Sequence, residues 1–347
     1  MDRTTLGRSG IEVSAWCLGT MTFGNQTEQD AAHRQISMAL EAGIDFLDAA
    51  EMYPVAPVRA ETVGRTERII GNWLEETGRR DDVVIATKAT GPNGGMVRDG
   101  AGYSGATLRE IVEGSLRRLR TDRIDLYQLH WPERGSYHFR QNWTFDPRGQ
   151  DTGEVADHMD GMVETLKALV AEGKIRAFGL SNETAWGTMQ WIARAEAAGG
   201  PRVATVQNEY SLLARLYDTD MAEMAHHEDV TLLSFSPLGA GFLTGKYRGG
   251  KVPEGSRRSR VPDLGGRVSD RVDGAVEAYV GVAQKHGLDL VHMSLAWQRT
   301  RPFPVVPIIG ATTVEQLRRI LAGADVALSD EVLADIDAVH RAHPLPY

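Results

Sequence analysis

The chain has 347 residues, with 47 acidic side chains against 38 Lys and Arg, which gives a formal charge of −9 at pH 7 and an isoelectric point near 5.6. Such a balance argues against a general binder of nucleic acid or of a membrane surface, so a small-molecule ligand is predicted. The single cysteine, Cys17, cannot form an internal disulfide, and no apolar run approaches the roughly 20 residues that cross a bilayer. Since the N-terminus has no apolar stretch after its charges, the predicted location is the cytoplasm.

Short apolar runs recur along the chain and predict eight β-strands. In chain order they are VSAWCLGT (13–20), GIDFLDA (43–49), DVVIATK (82–88), RIDLYQLH (123–130), KIRAFGLS (174–181), RVATVQN (202–208), VTLLSFS (230–236) and FPVVPIIG (303–310). Helical spacing of apolar residues marks segments between them: 30–43, 66–78, 107–119, 162–173 and 312–323. Glycines 43, 78, 173 and 323 are predicted to close these helices. Strands and helices alternate every 40 residues or so, which favours a (β/α)₈ TIM barrel rather than a doubly wound sheet. A single barrel domain is predicted to span residues 1–347.

Segments outside the repeat have their own predicted roles. TTLGRSGIEVS (4–14) predicts an N-terminal β-hairpin that plugs the bottom of the barrel. Residues 132–157 form a long aromatic-containing loop, typical of a binding loop or lid. Residues 247–266 are rich in Gly, Pro and Arg and suggest a mobile basic flap. Extra C-terminal helices, around 288–299 and 330–341, are predicted to flank the last strand–helix unit.

Polar or aromatic side chains end most of the predicted strands. They are Asp48, Lys88, His130, Ser181, Asn182, Gln207, Asn208 and Phe235. Because TIM-barrel active sites lie at the carboxyl ends of the strands, we expect these side chains to converge on one mouth.

Four of the residues near this mouth suggest proton-transfer chemistry. Tyr53 has a phenol, which donates a proton poorly near pH 7 unless a neighbouring ammonium favours the phenolate, and Lys88 offers one. Asp48 would keep that lysine protonated, and His130 can donate a hydrogen bond to a bound carbonyl. No side chain can supply a hydride, so a nicotinamide cofactor is predicted.

Eight motifs along the chain resemble those of one enzyme family. They are LGTMTFG, DAAEMYP, IGNWL, DLYQLHWP, AEGKIRAFGLSNETAWG, VQNEYSLLAR, GFLTGKY and IIGATTVEQL. Together they resemble the aldo-keto reductases, in particular the Tas-like branch that is related to β subunits of voltage-gated potassium channels. The resemblance implies reversible, NADPH-dependent reduction of aldehydes or ketones, with Asp48, Tyr53, Lys88 and His130 as the catalytic tetrad and Tyr53 as general acid.

The same resemblance implies the cofactor contacts. Around the nicotinamide they are Thr20, Met21, Ser181, Asn182, Gln207 and Phe235. Around the pyrophosphate they are Leu238, Gly241, Leu243, Gly245 and Lys246. At the adenosine 2′-phosphate they are Gly310, Thr312 and Gln316, with Arg258 or Arg260 reaching in from the flap. Arg319 and Ile320 replace an acidic residue and an asparagine common in the branch, which leaves the strength of the NADPH preference open. Trp131 and Trp143 are predicted to shape the substrate pocket.

Alternatives remain open at this point. One is an NADP(H)-binding redox sensor or regulatory subunit with little turnover, and another is a Schiff-base lyase that uses Lys88 as nucleophile. The segment AGFLTGKY does not complete a phosphate-binding P-loop. The segment HHED (226–229) does not complete a metal site, so no metal is predicted. Neither the physiological substrate nor the oligomeric state follows from the sequence.

Overall fold

Eight parallel strands close into a barrel in a computed structural model that describes residues 1–347. The barrel strands are β3 (Cys17–Gly19), β4 (Phe46–Asp48), β5 (Val84–Ala89), β6 (Ile124–Leu129), β7 (Ile175–Ser181), β8 (Val203–Glu209), β9 (Thr231–Phe235) and β10 (Val305–Ile309). They follow chain order around the barrel, and β10 pairs with β3 to close it. The (β/α)₈ prediction is confirmed, and each strand overlaps its predicted run.

A short hairpin fills the amino-terminal end of the barrel. Its strands β1 (Arg3–Thr5) and β2 (Glu12–Ser14) pair antiparallel around the predicted turn. Leu6, Ile11 and Val13 are buried and join one apolar cluster with inward-facing residues of the barrel strands. The bottom of the barrel is therefore closed by apolar packing, which leaves the opposite mouth for polar groups.

Eleven α-helices accompany the strands. They are α1 (Gln29–Glu41), α2 (Arg65–Thr77), α3 (Leu108–Leu119), α4 (Thr152–Ala171), α5 (Ala185–Ala197), α6 (Asp220–Glu228), α7 (Arg257–Arg260), α8 (Val272–Lys285), α9 (Leu290–Gln298), α10 (Val314–Leu321) and α11 (Asp330–Ala342). A cluster of buried apolar residues lies between this helical layer and the barrel. No helix is both long and apolar enough to span a membrane.

Three details of the predicted helices are wrong. The loop expected over 132–157 ends earlier, because Asp151 accepts hydrogen bonds from the backbone amides of Gly153 and Glu154 and starts α4 there. Helix α8 was not predicted, and it packs on α11. Helix α9, which was predicted as an extra C-terminal helix, is instead the barrel helix that precedes β10. Gly78 ends α2 with φ +65°, but Gly323 has no left-handed backbone.

We call residues 130–151 the β6–α4 loop and residues 247–267 the flap.

Gly71 allows α2 and α3 to pack closely. A Cβ atom at this position would lie 2.4 Å from the carbonyl oxygen of Arg118 and 2.8 Å from the carbonyl carbon of Leu119. Gly71→Ala is therefore expected to destabilise the protein by about 1–3 kcal/mol, measured by urea unfolding. Gly161 of α4 is the matched control, since a Cβ atom there would have no neighbour within 4 Å. Gly161→Ala should instead stabilise by up to about 1 kcal/mol, and equal effects of the two variants would contradict this account.

Candidate active site

The carboxyl-terminal mouth of the barrel brings Asp48, Tyr53, Lys88 and His130 together. Lys88 Nζ, fully buried, lies 2.8 Å from Asp48 Oδ2, 2.7 Å from the carbonyl oxygen of Ala49 and 3.5 Å from Tyr53 Oη. The ring of His130 meets that of Tyr53 edge-on, with centroids 5.7 Å apart. Asp48, Lys88 and Tyr53 thus form one buried, hydrogen-bonded cluster, and His130 packs against it through its ring.

Burial and charge set the protonation states of this cluster. Burial alone would lower the pKa of Lys88, but Asp48 and Tyr53 outweigh it, so the pKa of Lys88 lies above its ordinary value. Burial raises the pKa of Tyr53, and the ammonium of Lys88 only partly opposes that rise. The pKa of His130 lies well below its ordinary value because of burial first and Lys88 second. Near pH 7 the lysine is charged, and the tyrosine and histidine are neutral.

This result corrects one part of the sequence interpretation. The ammonium of Lys88 does favour the phenolate of Tyr53, as expected, but desolvation has the larger effect on the pKa. The phenol of Tyr53 therefore keeps its proton at neutral pH, and the charge of Lys88 lowers the free-energy cost of losing that proton.

Two glutamines inside the barrel fix the carboxylate of Asp48. Gln207 Nε2 donates to Asp48 Oδ1 at 2.8 Å, and Gln128 Nε2 donates to the same oxygen at 3.2 Å. Gln207 also donates to Gln128 Oε1 at 3.1 Å. The amide group of Gln207 thus faces the tetrad, and its predicted contact with the cofactor stays a prediction. Gln128 was not among the sequence-predicted site residues, although it lies in the apolar run that ends at His130.

Asn182 presents an unsatisfied polar atom at the end of β7. Its Nδ2 donates to the carbonyl oxygen of His130 at 2.9 Å and to Ser181 Oγ at 3.1 Å. Its Oδ1 is buried without a hydrogen-bond partner, and its backbone is left-handed with φ +53°. Because buried oxygens are normally paired, this atom fits a ligand that carries an N–H donor, such as a carboxamide.

A cleft of about 560 Å³ runs beside the mouth, between the ends of β9 and β10 and the flap. The predicted cofactor residues that line it are Met21, Leu238, Gly241, Lys246, Gly310, Thr312 and Gln316. Others lie elsewhere: Thr20 is fully buried and donates to the backbone of Asp48, Leu243 is fully buried, and Phe235 packs on the barrel interior. Gly245 closes a turn with φ +76°.

Arg257 is the flap arginine that lines this cleft, although the sequence interpretation named Arg258 or Arg260. The guanidinium of Arg258 lies over the ring of Tyr247 at 5.8 Å, and Arg260 is exposed. Burial lowers the pKa of Arg257 to about 10, with a further contribution from Arg267, and its Nε is buried without a partner. An arginine in this state fits an anionic ligand such as a phosphate group.

Comparison with known proteins shows which family the chain belongs to. The model of the Aldo/keto reductase family matches residues 15–341. The chain belongs to the aldo/keto reductase family. It is 41% identical to Protein tas of Escherichia coli (strain K12), over 100% of this chain and 99% of that protein. It is 34% identical to the uncharacterized oxidoreductase YrpG of Bacillus subtilis (strain 168), over 96% and 94% of the two chains. It is 30% identical to a probable voltage-gated potassium channel subunit beta of Arabidopsis thaliana, over 99% and 98%.

These relatives confirm the resemblance to the Tas-like branch, and as an aldo/keto reductase the protein is an oxidoreductase. The two positions that depart from the branch both line the cleft. Arg319 is held by Asp289, with Nη2 at 2.8 Å from Oδ2. Gln316 Oε1 accepts from Thr312 Oγ1 at 3.0 Å, so this amide oxygen has a fixed orientation in the lining of the cleft.

The two predicted substrate residues occupy different surroundings in this aldo/keto reductase. Trp131 packs on His130 with ring centroids 4.8 Å apart, and its Nε1 donates to the carbonyl oxygen of Pro92 at 3.0 Å. Gly91 leaves room for this indole, since a Cβ there would lie 2.3 Å from Nε1. Trp143 is 57% exposed and lies under the guanidinium of Arg271. Trp131 therefore borders the tetrad directly, and Trp143 lies on the outer surface of the β6–α4 loop.

One group of potential metal ligands lies away from the site. His286, Glu331 and Asp335 offer atoms within 4.8 Å of one another, but Lys285 Nζ also bonds to Asp335 at 2.6 Å. The lysine already supplies the positive charge that a cation would bring.

Proposed function

We propose that this aldo/keto reductase reduces aldehydes or ketones to alcohols with NADPH, reversibly. The observation that carries the proposal is the contact of Lys88 Nζ with both Asp48 and Tyr53. Two unpaired, buried polar atoms support it: Asn182 Oδ1 at the end of β7, and Nε of Arg257, which lines the cleft. When bound, the nicotinamide would supply the hydride, which no side chain can provide.

The chain's own residues would hold and orient the cofactor. Asn182 Oδ1 is suited to accept a hydrogen bond from the carboxamide, because it is buried and unpaired. Lys246 and Arg257 provide positive charge along the cleft for phosphate groups. Ser181 orients Asn182 through its hydroxyl, which accepts from Asn182 Nδ2. Gln207 would act indirectly, by fixing the carboxylate of Asp48.

Tyr53 would donate the proton to the carbonyl oxygen. It is protonated at pH 7, and the charge of Lys88 stabilises the phenolate that remains after transfer. His130 is neutral, so it can donate one N–H to the same oxygen without bringing a second charge into the cluster. Asp48 keeps Lys88 charged and directs it at the phenol.

The Schiff-base alternative is disfavoured by the state of Lys88. A lysine nucleophile must be neutral, and the pKa of this lysine is raised. Its three N–H donors also point at Asp48, Ala49 and Tyr53. The amine lacks both the free electron pair and the access that imine formation requires.

The proposal is tested by adding NADPH and a panel of aromatic and aliphatic aldehydes to the purified protein. We expect loss of NADPH absorbance that depends on the aldehyde, with formation of the matching alcohol. NADPH binding without turnover over the whole panel would instead support a redox-sensing or regulatory role. Absence of NADPH binding would overturn the proposal.

Arg257→Met is expected to weaken NADPH binding about tenfold or more, because charge-assisted hydrogen bonds to phosphate contribute about 1.5–3 kcal/mol. Arg260→Met is the matched control, since this neighbouring arginine is exposed and outside the cleft. Fluorescence titrations with NADPH and with NADH also show which phosphate group of the cofactor Arg257 contacts. Equal losses for both cofactors would place Arg257 at the pyrophosphate, and a loss for NADPH alone would place it at the 2′-phosphate. An unchanged NADPH affinity would contradict the assignment.

A further inference from the structure

Glu209, the last residue of β8, is a meeting point for groups from three separate segments. Arg140 of the β6–α4 loop donates to its Oε2 at 2.8 Å, and Arg267 at the end of the flap donates to its Oε1 at 2.7 Å. The hydroxyl of Tyr347 lies 3.2 Å from Oε1. All of these side chains are largely buried: the exposed fractions of Glu209, Arg140 and Arg267 are 12%, 15% and 4%.

The two loops that meet at Glu209 face different parts of the site. In the β6–α4 loop, Phe139 contacts Trp131 edge-on, with centroids 5.9 Å apart, and Trp131 packs on His130. In the flap, residues 253–257 form one wall of the cleft. The β6–α4 loop therefore covers the substrate side, and the flap covers the proposed cofactor side.

The loops also cross each other directly at this point. A Cβ atom at Gly265 would lie 3.4 Å from Arg140 Nη2, and one at Gly266 would lie 3.6 Å from Arg140 Nε. Phe139 and Arg140 both have left-handed backbones, with φ +57° and +64°. Non-glycine residues keep such conformations only where surrounding contacts hold them, so the tip of the β6–α4 loop depends on its contacts with Glu209 and the flap.

Glu209 is the only carboxylate that pairs with these two arginines. Burial would raise the pKa of Glu209, but Arg267 and Arg140 outweigh it and lower the pKa, so the carboxylate is ionised. The pKa of Arg140 is lowered by burial first and by Arg267 second. The two arginines repel each other, and the shared carboxylate supplies the negative charge that offsets this repulsion.

We propose that Glu209 couples the two loops, so that an ordered β6–α4 loop keeps the flap closed over the cleft and slows release of the cofactor. The inference rests on the proposed function for the identity of that cofactor. Coupling of this kind is reciprocal, so a change in the substrate-side loop must appear in cofactor binding.

Arg140→Met is the decisive variant, because it removes the positive charge of the β6–α4 loop that pairs with Glu209 and leaves Glu209 paired with Arg267. Glu209→Gln is less suitable, since it leaves two buried arginines unpaired and endangers folding. Arg148→Met is the matched control: this arginine belongs to the same loop, but its ion pair with Asp146 is exposed. Two readouts are needed, namely the NADPH dissociation rate without substrate, by stopped-flow fluorescence, and amide hydrogen exchange of residues 251–267 without cofactor.

Arg140→Met is expected to speed NADPH dissociation by about fivefold or more and to raise exchange in the flap, while Arg148→Met matches the wild type in both. Unchanged dissociation and unchanged flap exchange in Arg140→Met would overturn the coupling, as would equal effects of the two variants. If the wild type binds no NADPH, the proposed function fails. Hydrogen exchange then still decides whether the loops are coupled, and unchanged exchange would reject the coupling as well.

Discussion

Tyr53→Phe is expected to lower the turnover of aldehydes by about 10²–10⁴-fold, the usual contribution of a positioned general acid, while NADPH still binds. The substitution removes only the hydroxyl that contacts Lys88 and keeps the ring that packs on His130. Stopped-flow turnover and NADPH fluorescence titration on the same samples separate the two effects. A variant with wild-type turnover would contradict the role of Tyr53 as proton donor.

Tyr279→Phe is the control for this experiment. Tyr279 is also a buried tyrosine, and its hydroxyl donates to the carbonyl oxygen of Leu212 at 2.9 Å, within the layer of helices. Its loss should cost about 1 kcal/mol of stability and leave turnover near the wild-type value. A comparable loss of turnover in both variants would indicate a general effect of removing a buried hydroxyl.

The pH dependence of turnover gives an independent test of Tyr53. Because its pKa is raised above the ordinary value of 10.0, the proton-donating form persists through neutral pH. Reduction should therefore be insensitive to ionisation of Tyr53 near pH 7 and fall only above about pH 10. Alcohol oxidation needs the phenolate as proton acceptor, so it should rise with pH. A fall in the reductive rate with a midpoint near pH 7 would require another donor.

The barrel could be predicted from the sequence because most strands combine an apolar run with a polar or aromatic residue at the carboxyl end. Asp48, Lys88 and His130 follow this pattern, and parallel strands bring such positions to one rim. Helix α8 escaped prediction although Val272, Val276, Tyr279 and Ala283 have helical spacing. The Gly- and Arg-rich flap directly before it obscured where the regular pattern begins.

Side-chain direction could not be predicted in the same way. The flap contains several arginines within a few residues, and spacing alone does not tell which of them faces the cleft. That choice depends on how α7 packs: Arg258 turns to Tyr247, and Arg257 turns to the cleft. Gln207 is similar, because only the folded barrel decides whether its amide reaches Asp48. The start of α4 was readable in principle, since Asp151 is a favourable N-cap residue.

Lys88→Met is expected to remove turnover and also to destabilise the protein by about 3–5 kcal/mol. The buried carboxylate of Asp48 would then lack its counter-charge and keep only the amide donors of Gln128 and Gln207. Urea unfolding followed by circular dichroism measures the loss. Lys167→Met is the control, because this lysine is exposed and donates only to the carbonyl oxygen of Ala198.

A double variant distinguishes an uncompensated charge from a simple loss of packing. In Lys88→Met/Asp48→Asn the buried site is neutral. The stability loss of the double variant should therefore be smaller than the sum of the two single-variant losses, by about 1–3 kcal/mol. Turnover should stay absent in the double variant, because nothing then stabilises the phenolate of Tyr53. The comparison should be made at neutral pH. The pKa of Lys88 is raised above 10.5 in the folded protein, so the stabilisation by its charge is fully present below pH 10.5. This stabilisation is lost only as the pH rises through the folded-state pKa. Strictly additive losses would mean that Asp48 and Lys88 act independently, and the proposed role of Asp48 in holding the lysine charged would then be wrong.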